Sequence, residues 1–391
     1  MRPPLSWPLL AMLGALSAGA AQAPLNLPIR GADVSTLAEL ERLGVHYQDG
    51  TRQGDLLTLM RERGLNLVRL RLWVDPYSAK GEPFGGGSND LERVIALAQR
   101  SRALNLPWLL DVHYSDFWAD PGKQHTPRAW LGKSDADLAA VLHDYSATVM
   151  RRLREAGVPP QMVQVGNELN NGMLWPQGRL HRRKEAEFDR LAFLLKAAIA
   201  GIRSGSKGGI RPRLMLHLAE GGDEAQCLRW FKAMQARDVP FDLVGLSFYP
   251  YWHGSLGDLS RTMNSLATQI RRPLLVVETA YGHDTVNQDG VRNAFGEQEA
   301  GRGGFAATPE GQLAFLDALR AAIAEVPDRL GLGFVYWEPG WIRVPGDSWA
   351  SHAGMAFLGI DEPLGNGWEN QALFDREGRG LPALAAFART R

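Results

Sequence analysis

Two carboxylates stand where they are costly. Glu168 ends the apolar run "MVQVGNE" that begins at Met162, and Glu278 lies near the end of "PLLVVETA", which begins at Pro273. An ionised carboxylate at the end of a core segment must be paired or put to use. Other apolar runs also turn polar at the same end. Arg69 and Arg71 lie in "VRLRLWV", His217 in "RLMLHLA", Ser247 and Tyr249 in "LVGLSFYP", and Trp337 and Glu338 in "LGFVYWEP". Asp111, His113 and Ser115 in "PWLLDVHYS" are two residues apart, which puts them on one face of a strand, and Asn167 directly precedes Glu168. Singly, each has a plain reading: Glu168 as a helix cap, His113 and Trp337 as core. Together they describe a site. Two carboxylates from separate strands suit cleavage of a glycosidic bond, one as acid and one as nucleophile or base. One must be held protonated and the other ionised, and Arg69 is suited to the second task. The residue types alone do not divide the roles.

The elements that must position these groups form a regular series. Eight apolar runs, starting at Ile29, Val68, Pro107, Met162, Arg213, Leu243, Pro273 and Leu332, read as strands. Helical patterns lie between them, including residues 90–104 and 135–157 and a segment opened by Pro309-Glu310. This alternation predicts an α/β fold, a (β/α)8 TIM barrel in a single catalytic domain over residues 24–391, whose reacting groups sit at the C-terminal ends of the strands. Gly-rich stretches such as "FGGGSND" and "GEQEAGRGGFAATP" absorb the excess length as loops. A doubly wound open sheet is disfavoured, because no Gly-rich phosphate fingerprint follows the first strand.

Composition narrows the ligand. The 43 basic and 43 acidic residues cancel, so no net field favours nucleic acid or a membrane surface. The 12 Trp exceed what a core needs, and Trp118, Trp175, Trp252, Trp341, Trp349 and Trp368 fall in loops after strands, as a sugar-binding groove would require. His113, His217, Asp111 and Glu278 could converge on a metal, but no HxH, HExxH or cysteine cluster supports one, and no metal or cofactor is expected. Residues 1–23 read as a signal peptide, with Arg2, an apolar run from Leu9 to Leu16 and small residues around Ala20 to Ala23. The expected product is exported, periplasmic or extracellular, and a monomer. Cys227 is the sole cysteine, so no internal disulfide is possible and stability must come from a large core.

The sequence resembles the arabinogalactan endo-β-1,4-galactanases of glycoside hydrolase family 53, in a clan of barrels with catalytic glutamates on strands four and seven. The resemblance is carried by "RGADVSTLAELERLG", "NLVRLRLWVDP", "LDVHYSDFWADPGKQHTP", "VGNELNNGMLWP", "LSFYPYWHG", "VVETAYG", "VYWEPGWI" and "ENQALFD", spread over nearly all of the chain after residue 23. It implies a retaining hydrolase of β-1,4-galactan and type I arabinogalactan, with Glu168 as acid/base and Glu278 as nucleophile. It implies further that Asn167 meets the sugar 2-hydroxyl and that Arg69 and Tyr249 hold the nucleophile charged and oriented. His113, Trp118 and Trp337 would help to form the sugar floor, and Arg69, His217, Tyr249 and Trp341 are grouped with them as substrate contacts. Some bacterial relatives hold a structural calcium between the loops after strands seven and eight. Asp284, Asn287 and Asp289 offer oxygens there, but in a different order, so a structural calcium stays open and is not predicted. A mannanase, xylanase or glucanase of the same clan, or a binding barrel without catalysis, are the rival readings.

Overall fold

The computed structural model describes residues 27–388; the expected signal peptide lies outside the described residues. Eight parallel strands close into a barrel: β1 Ile29–Asp33, β2 Leu67–Leu72, β3 Trp108–Val112, β4 Met162–Val165, β5 Arg213–Leu218, β6 Leu243–Ser247, β7 Leu274–Thr279 and β8 Gly331–Trp337. All eight runs read from the sequence are strands. Several stop short of the expected run, because "HYS", "GNE" and "FYP" leave the ladder and enter the loops that carry the polar residues.

Seven long helices cross between successive strands: α1 Leu56–Arg63, α2 Leu91–Ala103, α3 Asp135–Glu155, α4 Glu185–Gly205, α5 Glu224–Gln235, α6 Leu256–Gln269 and α7 Pro309–Ala324. Their starts are written in the sequence. Asp55, Asp90, Ser134, Asp223, Ser255 and Thr308 each accept a backbone N–H of the first turn, which satisfies one of its orphan donors. A short 3-10 segment, Pro382–Phe387, packs against α1 and α7 after β8 and is tied to β1 by Arg30 Nε donating to Phe387 O at 2.9 Å. Among the described residues no helix is long and apolar enough to cross a membrane.

The barrel interior is layered. Leu67, Leu109, Met162, Met215, Leu243, Leu275, Val277 and Val335 form a dry lower layer. Above it, at the C-terminal ends, each strand supplies one polar or aromatic residue: Asp33, Arg69, Asp111, Gln164, His217, Ser247, Glu278 and Trp337. Strict alternation would turn Glu278 outward, since Val277 belongs to the inner layer. The β6–β7 ladder instead pairs Leu246 with Val276 and then Ser247 with Glu278, leaving Val277 unpaired. This bulge turns Glu278 to the inside, the re-aiming that bulges near active sites perform.

Candidate active site

The two carboxylates reach the barrel mouth by different backbone devices. Glu278 depends on the β7 bulge. Glu168 follows Gly166, at φ 84°, and is itself left-handed at φ 48°. A non-glycine residue in that region is uncommon and is tolerated where surrounding contacts fix it. Both line a cavity of about 800 Å³ at the C-terminal end of the barrel, with Asn167, His113, Trp118, Trp252, Trp337, Trp341, Trp349 and Trp368 on its walls.

Arg69 organises the layer beneath. It is fully buried and donates through Nη1 to Asp33 Oδ2 at 2.7 Å, and through Nη2 to Asp111 Oδ2 at 2.9 Å and Glu278 Oε1 at 2.6 Å. Burial alone would weaken the charged guanidinium, but Asp111, Glu278 and Asp33 together raise its pKa above the usual arginine value. Tyr249 donates to the other oxygen of Glu278, Oε2, at 3.3 Å. Glu168 has a different neighbour: its Oε1 meets the Ser247 hydroxyl at 2.6 Å, and Ser247 Oγ lies 2.8 Å from His217 Nε2. His217 Nδ1 in turn lies 3.0 Å from Gln164 Nε2, and Gln164 Oε1 accepts from Arg69 Nη2 at 3.2 Å. A continuous hydrogen-bonded chain therefore joins the two carboxyl groups.

Electrostatics sort the pair. Burial, then the nearby Glu278 charge, push Glu168 well above the usual glutamate range, with the Ser247 bond opposing. Burial raises Glu278 too, but the adjacent Arg69 directly opposes it. Glu278 gives up its proton first and Glu168 keeps its own, the division that acid-assisted displacement needs. His217 is held well below the usual imidazole value by burial and then by Arg69, so it stays neutral.

The residues expected to face a sugar group less simply than the sequence suggested. Asn167 presents an amide that also donates to Ala119 O at 2.8 Å. His113 accepts at Nδ1 from Trp73 Nε1 and Ala119 N, both at 3.2 Å, which leaves Nε2–H to donate to Asp111 Oδ2 at 2.9 Å. Trp118 and Trp337 are the partly exposed floor, over the Arg71 guanidinium at 4.6 and 5.3 Å. Trp341 borders the cavity but is only 1% exposed; it stands behind Trp118 and Trp337 and supports them. Arg69, Tyr249 and His217, grouped with the substrate contacts on sequence, lie one layer down, at 0%, 4% and 0% exposure, and act on the carboxylates and Asn167. Trp175 does not line this cavity; its ring lies under the Arg179 guanidinium at 4.2 Å.

Asp33 and Gln164 were not singled out by the sequence reading. Asp33 sits at the end of "RGAD", where the rule used for the other seven strands would have found it. Gln164 bridges Asp111 Oδ1 at 2.5 Å and Asn167 Oδ1 at 2.9 Å, and its only signal is inward parity two residues before Gly166. The loop oxygens considered for calcium are turned to backbone amides: Asp284 to Val286 N, Asn287 to Gly290 N, and Asp289 to Val291 N and Asn366 N. Among the described residues no group of three or more His, Cys, Asp or Glu is arranged to hold a metal ion.

A parallel barrel with two carboxyls at its C-terminal mouth, one beside a guanidinium and one beside a neutral hydroxyl, under an aromatic wall, defines a glycoside hydrolase. The model of the family described as Glycosyl hydrolase family 53 matches residues 29–387. The endo-beta-1,4-galactanase of Bacillus subtilis (strain 168) is 30% identical over 382 residues, covering 92% of this chain and 85% of that one. The arabinogalactan endo-beta-1,4-galactanase of Cellvibrio japonicus (strain Ueda107) is 33% identical over 364 residues, 91% of this chain and 89% of that one. The solved Ignisphaera aggregans GH53 catalytic domain superposes with a TM-score of 0.85 at 37% identity, covering 94% of this chain and 96% of that one. The chain belongs to glycosyl hydrolase family 53.

Proposed function

We propose that the protein is an exported endo-β-1,4-galactanase that cleaves the galactan chain of type I arabinogalactan with retention of anomeric configuration. The names of the relatives support the substrate, and the N-terminal apolar run supports export. The observation that carries the mechanism is the asymmetry of the carboxyls: Arg69 on Glu278 and a neutral hydroxyl on Glu168.

Glu278, ionised beside Arg69, attacks the anomeric carbon while Glu168 donates its proton to the departing glycosidic oxygen. The C–O bond breaks as the ester to Glu278 forms. Once esterified, Glu278 is no longer an anion, and the repulsion that raised Glu168 is gone. Glu168 can then take a proton from water, whose oxygen attacks the anomeric carbon and releases Glu278. In this reading Asn167, held by Ala119 and Gln164, meets the 2-hydroxyl.

The test is reducing-end release from linear β-1,4-galactan by wild type and Glu278→Ala, with mannan, xylan and β-1,4-glucan alongside. Release from galactan by the wild type alone is the expected result. Release from another polymer but not galactan would overturn the substrate. NMR of the first-formed anomer tests retention, and an α-product would overturn it.

A further inference from the structure

We infer that Ser247 and His217 are positioning residues for Glu168: they fix which of its two oxygens carries the proton presented to the substrate. The inference rests on Glu168 acting as the acid, as proposed above. Ser247 is fully buried at the register break between β6 and β7, and its Oγ stands between Glu168 Oε1 at 2.6 Å and His217 Nε2 at 2.8 Å. Among the described residues Glu168 Oε2 has no hydrogen-bond partner, and the residue lines the cavity.

A hydroxyl has one proton to donate. If Ser247 points it at His217, Glu168 must supply the other bond from Oε1, and its proton faces away from the cavity. If Ser247 points it at Oε1, that oxygen is an acceptor and the proton of Glu168 sits on Oε2, facing the cavity. The His217 tautomer decides. With its proton on Nε2, the ring donates to Ser247 and Ser247 donates to Oε1. Nδ1 then accepts, and Gln164 Nε2 at 3.0 Å is its donor. The opposite tautomer would donate from Nδ1 to Asn167 Oδ1, also at 3.0 Å. It would also set Nδ1–H against Gln164 Nε2, a second donor 3.0 Å away that Asp111 Oδ1 holds in place at 2.5 Å, with no acceptor between them. The Nε2–H form is therefore favoured, and the productive orientation with it. After proton transfer the same Ser247 O–H remains on Oε1 and steadies the carboxylate that acts as base.

The charges that face this unit come from several elements. Glu168 faces Glu278 from β7, Asp120 from the loop after β3 and Arg69 from β2; His217 faces Arg69, His113 and His253. None of these contacts is removed by a change at Ser247.

The experiment compares wild type, Ser247→Ala, Ser247→Thr and His217→Phe. The pH profile of kcat/KM is measured on aryl β-galactosides with good and poor leaving groups. The Glu168 carboxyl is titrated by 13C NMR in a Glu278→Gln background, with and without Ser247→Ala. Loss of a hydrogen bond to the ionised form should move the alkaline limb and the Glu168 titration up by about one pH unit in Ser247→Ala. The loss of rate should be larger on poor leaving groups, His217→Phe should shift in the same direction, and Ser247→Thr should return toward wild type. A folded Ser247→Ala whose limb and titration stay at the wild-type positions, with equal losses on both substrates, would reduce Ser247 to packing and overturn the inference. The NMR titration needs no substrate, so it reads the pair even if β-1,4-galactan is not cleaved, an outcome that would strike only the substrate assignment.

Discussion

Arg69 Nη2 lies 2.6 Å from Glu278 Oε1, and at the same distance Glu168 Oε1 meets only the neutral Ser247 hydroxyl. One cation placed on one side of a carboxyl pair favours ionisation of the nearer member. Arg69 also pairs with Asp33 and Asp111, so its removal would leave Glu278 and Asp111 without their guanidinium and Asp33 with Arg71 at 3.3 Å. Arg69→Met should therefore abolish turnover and destabilise the fold by about 3–5 kcal/mol, the usual cost of breaking a buried ion pair from one side. Thermal unfolding checks this. A variant that is inactive but has wild-type Tm would show that the cluster contributes nothing to stability.

The unequal surroundings of the two carboxyls predict different rescue behaviour. Glu278→Ala should lose all turnover and regain it with azide, which enters the vacated space and yields a product of inverted configuration. Glu168→Ala should retain more activity on substrates with good leaving groups, which need little protonation. Wild-type kcat/KM should be bell-shaped, with an acid limb from Glu278 and an alkaline limb from Glu168. That second limb should lie above the ordinary carboxylate range, because burial and the Glu278 charge raise Glu168. Glu168→Gln should abolish the alkaline limb; if the limb persists, another group supplies the proton.

The aromatic floor should govern binding more than chemistry. Trp337 is partly exposed, packs edge-on to Trp368 at 4.5 Å and covers Arg71. Trp337→Ala should raise KM for galactan by about tenfold, the scale of one aromatic contact, with a smaller change in kcat. Trp341→Phe, by contrast, alters a buried ring and should register first in Tm. Steady-state kinetics beside thermal melts separates the two, and a matching KM effect from both would mean that Trp341 also touches the sugar.

The barrel and both glutamates were legible because their signals are local. Apolar runs of strand length ended in polar residues, and helical patterns alternated with them. What escaped was the layer that depends on register. No composition rule says that the Val277 bulge turns Glu278 inward, and strict alternation would have placed it outside. Likewise His217 and Tyr249 look like ligand contacts on paper because they are polar and near strand ends. Their depth, below the cavity wall rather than on it, is set by strand tilt and by the neighbours that cover them. Gln164 is invisible for the complementary reason: a neutral amide in an apolar run advertises nothing until its partners are placed around it.

Behind that wall a carboxyl is held neutral by its surroundings, and it gives the fold a pH dependence of its own. Asp347 accepts from Trp341 Nε1 at 2.8 Å and is pushed from 3.8 to about 7, by burial first and then by Glu39 and Glu338 despite the Trp341 bond. A folded-state pKa above the unfolded one means that the folded chain holds the proton more tightly. The associated stability is complete below the unfolded value and is lost as pH rises through about 7. Asp347→Asn keeps an acceptor for Trp341 and removes the ionisation. Its Tm should match wild type near pH 4, exceed it by a few degrees near pH 7.5, and diverge between those limits. Glu338, also raised to about 7 by burial while Arg71 opposes, titrates in the same window, so the variant should retain a shallower slope rather than a flat line. Parallel Tm curves for the two proteins from pH 4 to pH 8 would show that Asp347 is ionised in the fold throughout.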